Sequence, residues 1–308
     1  MTVDATVTLC GVTLQNPVIA ASGTFAYGVE FEKLVALDRL GGLVVKGLSR
    51  EPMAGNPEPR LFETACGMMN SVGLQNIGVG AFLAGKLPAL ARLKTAVFAN
   101  VFGYQVEDYV EVIQQLENAE GLAGYELNVS CPNTKHGGIQ FAADVSLLGE
   151  VVRAAKGAAR RRPLIVKLSP NVGDIVPFAR AAEEAGADAI SLVNTFVALA
   201  IDARRRRPRL GAGFGGLSGP AIKPIALRLV YQAAHAVRIP VIGLGGIATG
   251  EDVAEFLLAG ATAVQVGTAT FWDPQSPLRI AREFEQFLKE QRIASARELI
   301  GGLELENP

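Results

Sequence analysis

The chain has 308 residues, and its 49% hydrophobic against 19% charged residues exclude general disorder. Its net charge of −1 excludes recruitment of nucleic acid or an anionic membrane by a global field. Its three cysteines, Cys10, Cys66 and Cys131, contain no C-x-x-C pair, read as reduced thiols and are too few for the four thiolates of an ordinary iron–sulfur cluster. Residues 2–9 alternate Thr and Asp with Val, Ala and Leu, then turn at Cys10-Gly11 into Val12-Thr13-Leu14. That period of two predicts a short N-terminal hairpin. Eight short apolar runs follow, at 18–20, 42–45, 96–99, 125–127, 164–166, 189–193, 240–242 and 263–266. Segments of helical period fall between them, at 106–118, 144–161, 175–185, 221–237 and 252–259. Runs this apolar suit a parallel sheet covered by helices on its outer face.

Eight such strands alternating with helices predict an α/β chain, a (β/α)8 TIM barrel, with a doubly wound open sheet as the alternative. Three connections are longer than plain loops, at 47–87, 130–143 and 195–220, and are expected to be long active-site loops. No apolar run reaches the ~18 residues of a membrane span. The start, Met1 to Asp4, lacks the basic and apolar regions of a signal peptide, so a cytoplasmic chain is expected.

A barrel of this kind carries its chemistry at the C-terminal ends of its strands. The residues following the runs are Ser22-Gly23, Lys46-Gly47, Asn100, Asn128, Lys167, Asn194-Thr195, Gly245-Gly246 and Gly267-Thr268. Two ammonium groups, three amides, hydroxyls and two glycine turns therefore converge on one rim. After the seventh run, Gly243-Leu244-Gly245-Gly246-Ile247 leads into a helix whose free N–H groups are expected to bind phosphate, together with Val266-Gly267-Thr268. The same glycines match a dinucleotide fingerprint in form, but no acid stands about 20 residues on to hold a ribose. Lys46 and Lys167 suit either a Schiff-base lyase, using Lys167, or cations beside a flavin. Asn100, Asn128 and Asn194, which both donate and accept, favour a flat heterocycle such as flavin or a pyrimidine. His136 and His235 have no metal-ligand spacing, and no metal is expected. The run Arg204 to Arg207 reads as a solvated loop, and Cys10 and Cys66 as structural thiols.

The segments Asn128-Val129-Ser130-Cys131-Pro132-Asn133-Thr134 and Asn70-Ser71-Val72-Gly73-Leu74-Gln75-Asn76 resemble the class 1 dihydroorotate dehydrogenases. The resemblance covers nearly the whole chain. Val45-Lys46-Gly47, Lys167-Leu168-Ser169-Pro170, Gly216-Leu217-Ser218-Gly219-Pro220 and Gly245-Gly246-Ile247 fall in the family's order. It implies one FMN-binding barrel domain over 1–308 that oxidises dihydroorotate to orotate in pyrimidine biosynthesis. Cys131 would be the base that takes the C5 proton, with hydride passing from C6 to flavin N5. The implied substrate contacts are Lys46, Asn70, Ser71, Val72, Gly73, Leu74, Asn128, Asn133, Asn194 and Thr195. The implied FMN contacts are Ser22, Lys46, Gly47, Asn100, Asn128, Lys167, Val193, Gly219, Gly245, Gly246, Gly267 and Thr268.

Gly73-Leu74-Gln75-Asn76 and Gly55-Asn56-Pro57-Glu58-Pro59-Arg60 are similar to the NAD-linked 1B subgroup. That subgroup implies a homodimer joined by two partner subunits carrying FAD and a [2Fe–2S] cluster, a heterotetramer that passes electrons to NAD+. The fumarate-linked 1A subgroup, and other pyrimidine-acting FMN barrels, are the alternatives. Val72 departs from the family, where Ile or Met is commoner, but stays apolar.

Overall fold

The computed structural model describes residues 2–130, 141 and 143–305. Eight parallel strands close into a barrel: Val18–Ala20, Gly42–Val44, Ala96–Val101, Gly124–Asn128, Leu164–Lys167, Ala189–Leu192, Val241–Leu244 and Ala263–Val266. The eighth pairs with the first, Val264 opposite Val18 and Val266 opposite Ala20, which closes the ring. Each strand lies on one of the eight apolar runs, with ends shifted by at most two residues. The largest shift is informative. Asn100, Asn128 and Lys167 are strand residues, not the first residues of loops. Asn128 is registered opposite Lys167, and Asn100 opposite Glu126.

Helices cover the outside of the barrel. Val106–Glu117 buries Tyr109, Val112, Ile113 and Leu116, one stripe at spacings of three and four. Val145–Ala158 starts where the Asp144 carboxylate accepts the amides of Ser146 and Leu147, at 2.8 and 3.1 Å. Lys223–Ala234 begins two residues later than its periodicity predicts, with a proline in its first turn. Val176–Glu184 and Gly250–Leu258 lie on their predicted segments. A further helix, Ser276–Glu290, was not among the predicted elements. Its charge-rich sequence buries only a sparse stripe, including Leu278, Ile280, Ala281, Phe284 and Leu288.

The N-terminal hairpin pairs Val7–Leu9 with Val12–Leu14 across Cys10 and Gly11. Both turn residues have positive φ, 50° and 81°, the geometry that matches the twist of a tight hairpin. The alternation at residues 2–6 does not extend the hairpin. The Asp4 carboxylate instead accepts the Thr6 amide and hydroxyl at 2.9 and 2.6 Å, and Arg297 at 2.6 Å, tying this stretch to the C-terminal region.

Two of the long connections, expected to be loops, contain strands. They join in a four-stranded antiparallel arm of order Phe196–Ala198, Gly215–Ser218, Gly67–Asn70, Leu61–Thr64. The Arg run lies beside it in the exposed turn between Ile201–Asp202 and Arg207–Pro208, where Asp202 accepts the amides of Arg204 and Arg205. Most of the connection at 130–143 lies outside the described residues.

Candidate active site

The barrel interior holds a polar cluster at its fourth strand. Glu126 has 0% of its surface exposed. Its carboxylate accepts Asn100 Nδ2 at 2.8 Å, Ser191 Oγ at 3.0 Å and Gln265 Nε2 at 2.5 Å. Lys167 Nζ pairs with it at 3.4 Å and also donates to Gln265 Oε1 at 3.4 Å. A buried carboxylate persists only where such donors replace its water. The cluster therefore locks Asn100 and Lys167, both sequence-predicted, through Glu126, Ser191 and Gln265, which sequence reasoning missed. A signal was present: Glu126 stands two residues before Asn128 in an apolar strand, so period two puts both on one face.

Lys46, half-buried after the second strand, has a different setting. Its Nζ stands 3.9 Å from the point a Cβ on Gly23 would occupy. Among the described residues no carboxylate pairs with it, and burial pushes its pKa below the usual lysine range. Such a group gains by meeting an anion. Ser22 lies half-buried on the neighbouring turn, and Gly47 follows, where a Cβ would come within 2.9 Å of Asn100 Oδ1.

Gly219, Gly245, Gly246, Thr268 and Val193 come together at the far side of the rim. A Cβ on Gly219 would lie 3.4 Å from Thr268 Cγ2, one on Gly246 3.0 Å from the Gly219 carbonyl, and one on Gly245 3.0 Å from Val193. All three glycines have positive φ, at 94°, 126° and 85°, which side chains rarely adopt. Gly267 packs near Ala21, next to Ser22. The backbone amides of Gly245, Gly246, Gly267 and Thr268, all partly exposed residues, make no hydrogen bond to any described residue. The following helix corrects the sequence expectation. The Ala248 and Thr249 amides are taken by Asp252, at 2.7 and 2.8 Å, and the Gly250 amide by Glu283 at 3.0 Å. The start of Gly250–Leu258 is thus satisfied internally, and the donors left for a phosphate lie upstream, in the glycine turn.

The predicted substrate residues fall on the arm and the sixth strand end. Asn70 pairs with Gly216, and its Nδ2 donates to the Gly216 carbonyl at 3.4 Å. Thr195 packs into the space above Gly216, so Asn70 and Thr195 meet across one glycine. Asn194 accepts the Thr195 amide at 2.9 Å. Ser71 and Val72 are held by Asn56, whose Nδ2 donates to Ser71 Oγ at 2.9 Å and whose amide donates to the Val72 carbonyl at 3.0 Å, while the Leu74 carbonyl accepts Asn76 Nδ2 at 2.9 Å. A Cβ on Gly73 would strike the same Asn56. Asn128 Oδ1 accepts the Ser130 amide at 3.2 Å, at the foot of the connection that carries Cys131. Cys131 and Asn133 themselves lie outside the described residues. Of the two remaining cysteines, Cys10 is half-buried, donates to the Asp188 carbonyl at 3.2 Å and has its pKa pushed up to about 11, mainly by burial. Cys66 is exposed, so burial gives it no structural role.

The family model for dihydroorotate dehydrogenase matches residues 4–288. The chain belongs to the dihydroorotate dehydrogenase family. A putative dihydroorotate dehydrogenase A (fumarate) of Solibacter usitatus is 73% identical over 98% of this chain and 99% of its own length. The dihydroorotate dehydrogenase B (NAD(+)) catalytic subunits of Citrifermentans bemidjiense and Geobacter sulfurreducens are 54% and 53% identical, with the same coverage. Dihydroorotate dehydrogenases are oxidoreductases of pyrimidine biosynthesis, and FMN is general to them. The residues present fit that group: an unmatched amide cradle for a phosphate, two lysines and an asparagine for a heterocycle. Among the described residues no helix is long and apolar enough to cross a membrane.

Proposed function

We propose that this chain is the FMN-binding catalytic subunit of a cytoplasmic, NAD-linked dihydroorotate dehydrogenase, one barrel domain over residues 1–308 that oxidises (S)-dihydroorotate to orotate. The observation that carries the reading is the unmatched amide cradle of Gly245, Gly246, Gly267 and Thr268, on the same rim as the locked Lys167 and Asn100. Ser22, Gly47, Val193 and Gly219 complete the cofactor wall. Lys46, Asn70 through Leu74, Asn128, Asn133, Asn194 and Thr195 hold the substrate, with the Lys46 ammonium facing its carboxylate. Cys131 takes the C5 proton as the C5–C6 double bond forms. When bound, FMN supplies the acceptor for the hydride that leaves C6. An ordinary thiol ionises near pH ~8.5, so the reductive rate is expected to rise with pH through that region.

Electrons leave, in this reading, through a partner subunit carrying FAD and a [2Fe–2S] cluster to NAD+, in a heterotetramer built on a homodimer. Two stretches that resemble the NAD-linked subgroup support it, and the fold brings them together. Arg60 donates to Gln75 Oε1 and to the Asn56 carbonyl, both at 2.6 Å, and to the Ala54 carbonyl at 3.1 Å. The second reading, direct reduction of fumarate, is favoured by the name of the 73% identical relative.

One cuvette tests both. The purified chain is expected to show a flavin spectrum that bleaches under anaerobic dihydroorotate, and Cys131→Ala to keep the flavin while losing nearly all bleaching. A colourless chain that takes up no FMN overturns the reading. Reoxidation by fumarate alone selects the second reading; reoxidation by NAD+ only after a partner subunit is added selects the first.

A further inference from the structure

Glu126 belongs to none of the substrate or cofactor sets above, yet its carboxylate lies fully buried inside the barrel. Donors from four other strands converge on it: Asn100 from the third, Lys167 from the fifth, Ser191 from the sixth and Gln265 from the eighth. Withdrawing a carboxylate from water is costly, and an apolar side chain of similar size fills a barrel interior at least as stably. The carboxylate is therefore best understood through the two residues it holds at the rim. Asn100 reaches from Glu126 to Gly47, whose Cβ position lies 2.9 Å from Asn100 Oδ1. Lys167 is the last residue of its strand, its carbonyl accepting Ser130 Oγ at 3.0 Å and its ammonium held between Glu126 and Gln265.

We propose that Glu126 is a positioning residue: it fixes Asn100 and Lys167 against the flavin and, by pairing with Lys167, sets the reduction potential of the bound FMN. This rests on the FMN reading above. A positive group beside a flavin favours its anionic reduced form, and a carboxylate 3.4 Å behind that group weakens its field. Ser191 and Gln265 serve the same end by satisfying the second carboxylate oxygen, which leaves the first to Asn100 and Lys167.

The test is the midpoint potential of FMN bound to the purified chain, measured by anaerobic dye titration. Glu126→Gln is expected to raise it, because the Lys167 charge is no longer offset. A change of about tenfold in the ratio of affinities for reduced and oxidised FMN corresponds to ~30 mV for the two-electron couple. FMN affinity falls in the same variant as Lys167 and Asn100 lose their anchor. In a Lys167→Met background the same substitution should leave the potential where Lys167→Met alone puts it, which a merely structural role would not produce. Glu126→Asp keeps the charge but draws it back by one methylene, and is expected to shift the potential the same way by less. It serves as the measurement if Glu126→Gln does not fold. A wild-type chain that binds no FMN removes the functional reading and this inference with it. A wild-type chain that holds FMN, with the potential unchanged in Glu126→Gln or Glu126→Asp, overturns this inference alone. So does a Glu126→Gln shift that persists in full without Lys167.

Discussion

The side chain of Thr195 occupies the space that a Cβ on Gly216 would need, so the sixth strand end and the arm touch through a missing methyl group. Gly216 also pairs with Asn70 on its other side. Gly216→Ala is therefore expected to push Thr195 and Asn70 apart, at a local cost of about 1–3 kcal/mol for the overpacking. The KM for dihydroorotate should rise on the order of tenfold, while FMN content stays at the wild-type level. Steady-state kinetics beside a flavin absorbance ratio checks both halves, and an unchanged KM would separate Asn70 and Thr195 from the substrate.

Asp252 organises the entry to the helix Gly250–Leu258. Burial pushes its pKa up, but Lys223 at 2.5 Å and the Ala248 and Thr249 amides outweigh this and hold it below the usual carboxylate range. The stabilisation is present above the ordinary aspartate value and is lost as pH falls through the lowered one. Asp252→Ala should cost about 1–2 kcal/mol at neutral pH, the scale of a lost cap with its charge-assisted bonds. The gap from wild type should narrow as pH falls below the ordinary aspartate value of ~4 and close only below the lowered folded value. Urea melts at pH 7 and at descending steps below pH ~4 follow the narrowing; a gap independent of pH would remove the ionised carboxylate from the account.

Lys46 runs the other way. Burial makes the folded chain hold this proton more weakly than the unfolded chain does. Over the interval between the two values the unfolded chain binds more protons, so stability rises with pH towards the ordinary lysine value. Lys46→Met is expected to stabilise the FMN-free chain at neutral pH by about 1 kcal/mol while weakening dihydroorotate binding, a site strained in favour of its ligand. Thermal melts of apo wild type and variant give the first sign and KM the second. A variant less stable than wild type would mean that Lys46 already has a compensating partner.

The barrel was legible in the sequence because its strands are buried on both faces. An apolar run such as residues 263–266 has no other stable place in a chain of this length. The rim was legible for the same reason: Lys167 and Asn100 are conspicuous where such a run should continue. Glu126 was hidden because a single acid inside Tyr125-Glu126-Leu127 looks like an interruption of the run, and its four donors come from strands up to 139 positions away. The arm was hidden because Gly67-Met68-Met69-Asn70 and Gly215-Gly216-Leu217-Ser218 have little strand propensity of their own. Their pairing with each other, not their side chains, makes them strands. The expectation of free amides at residues 248–250 failed through the capping box: Thr249 and Asp252 satisfy each other's backbone, a local closure that leaves the glycines upstream as the open donors.

The arm joins Met68 to Ser218, residues 150 positions apart. On a ribosome adding 5–20 residues each second, the first half of that sheet waits roughly 10–30 s for its mate. During that wait Gly67–Asn70 offers one unpaired edge, with nothing yet to lie against on that side. The arm is thus completed only after six of the eight barrel strands have been synthesised, so its two halves cannot meet before most of the barrel exists.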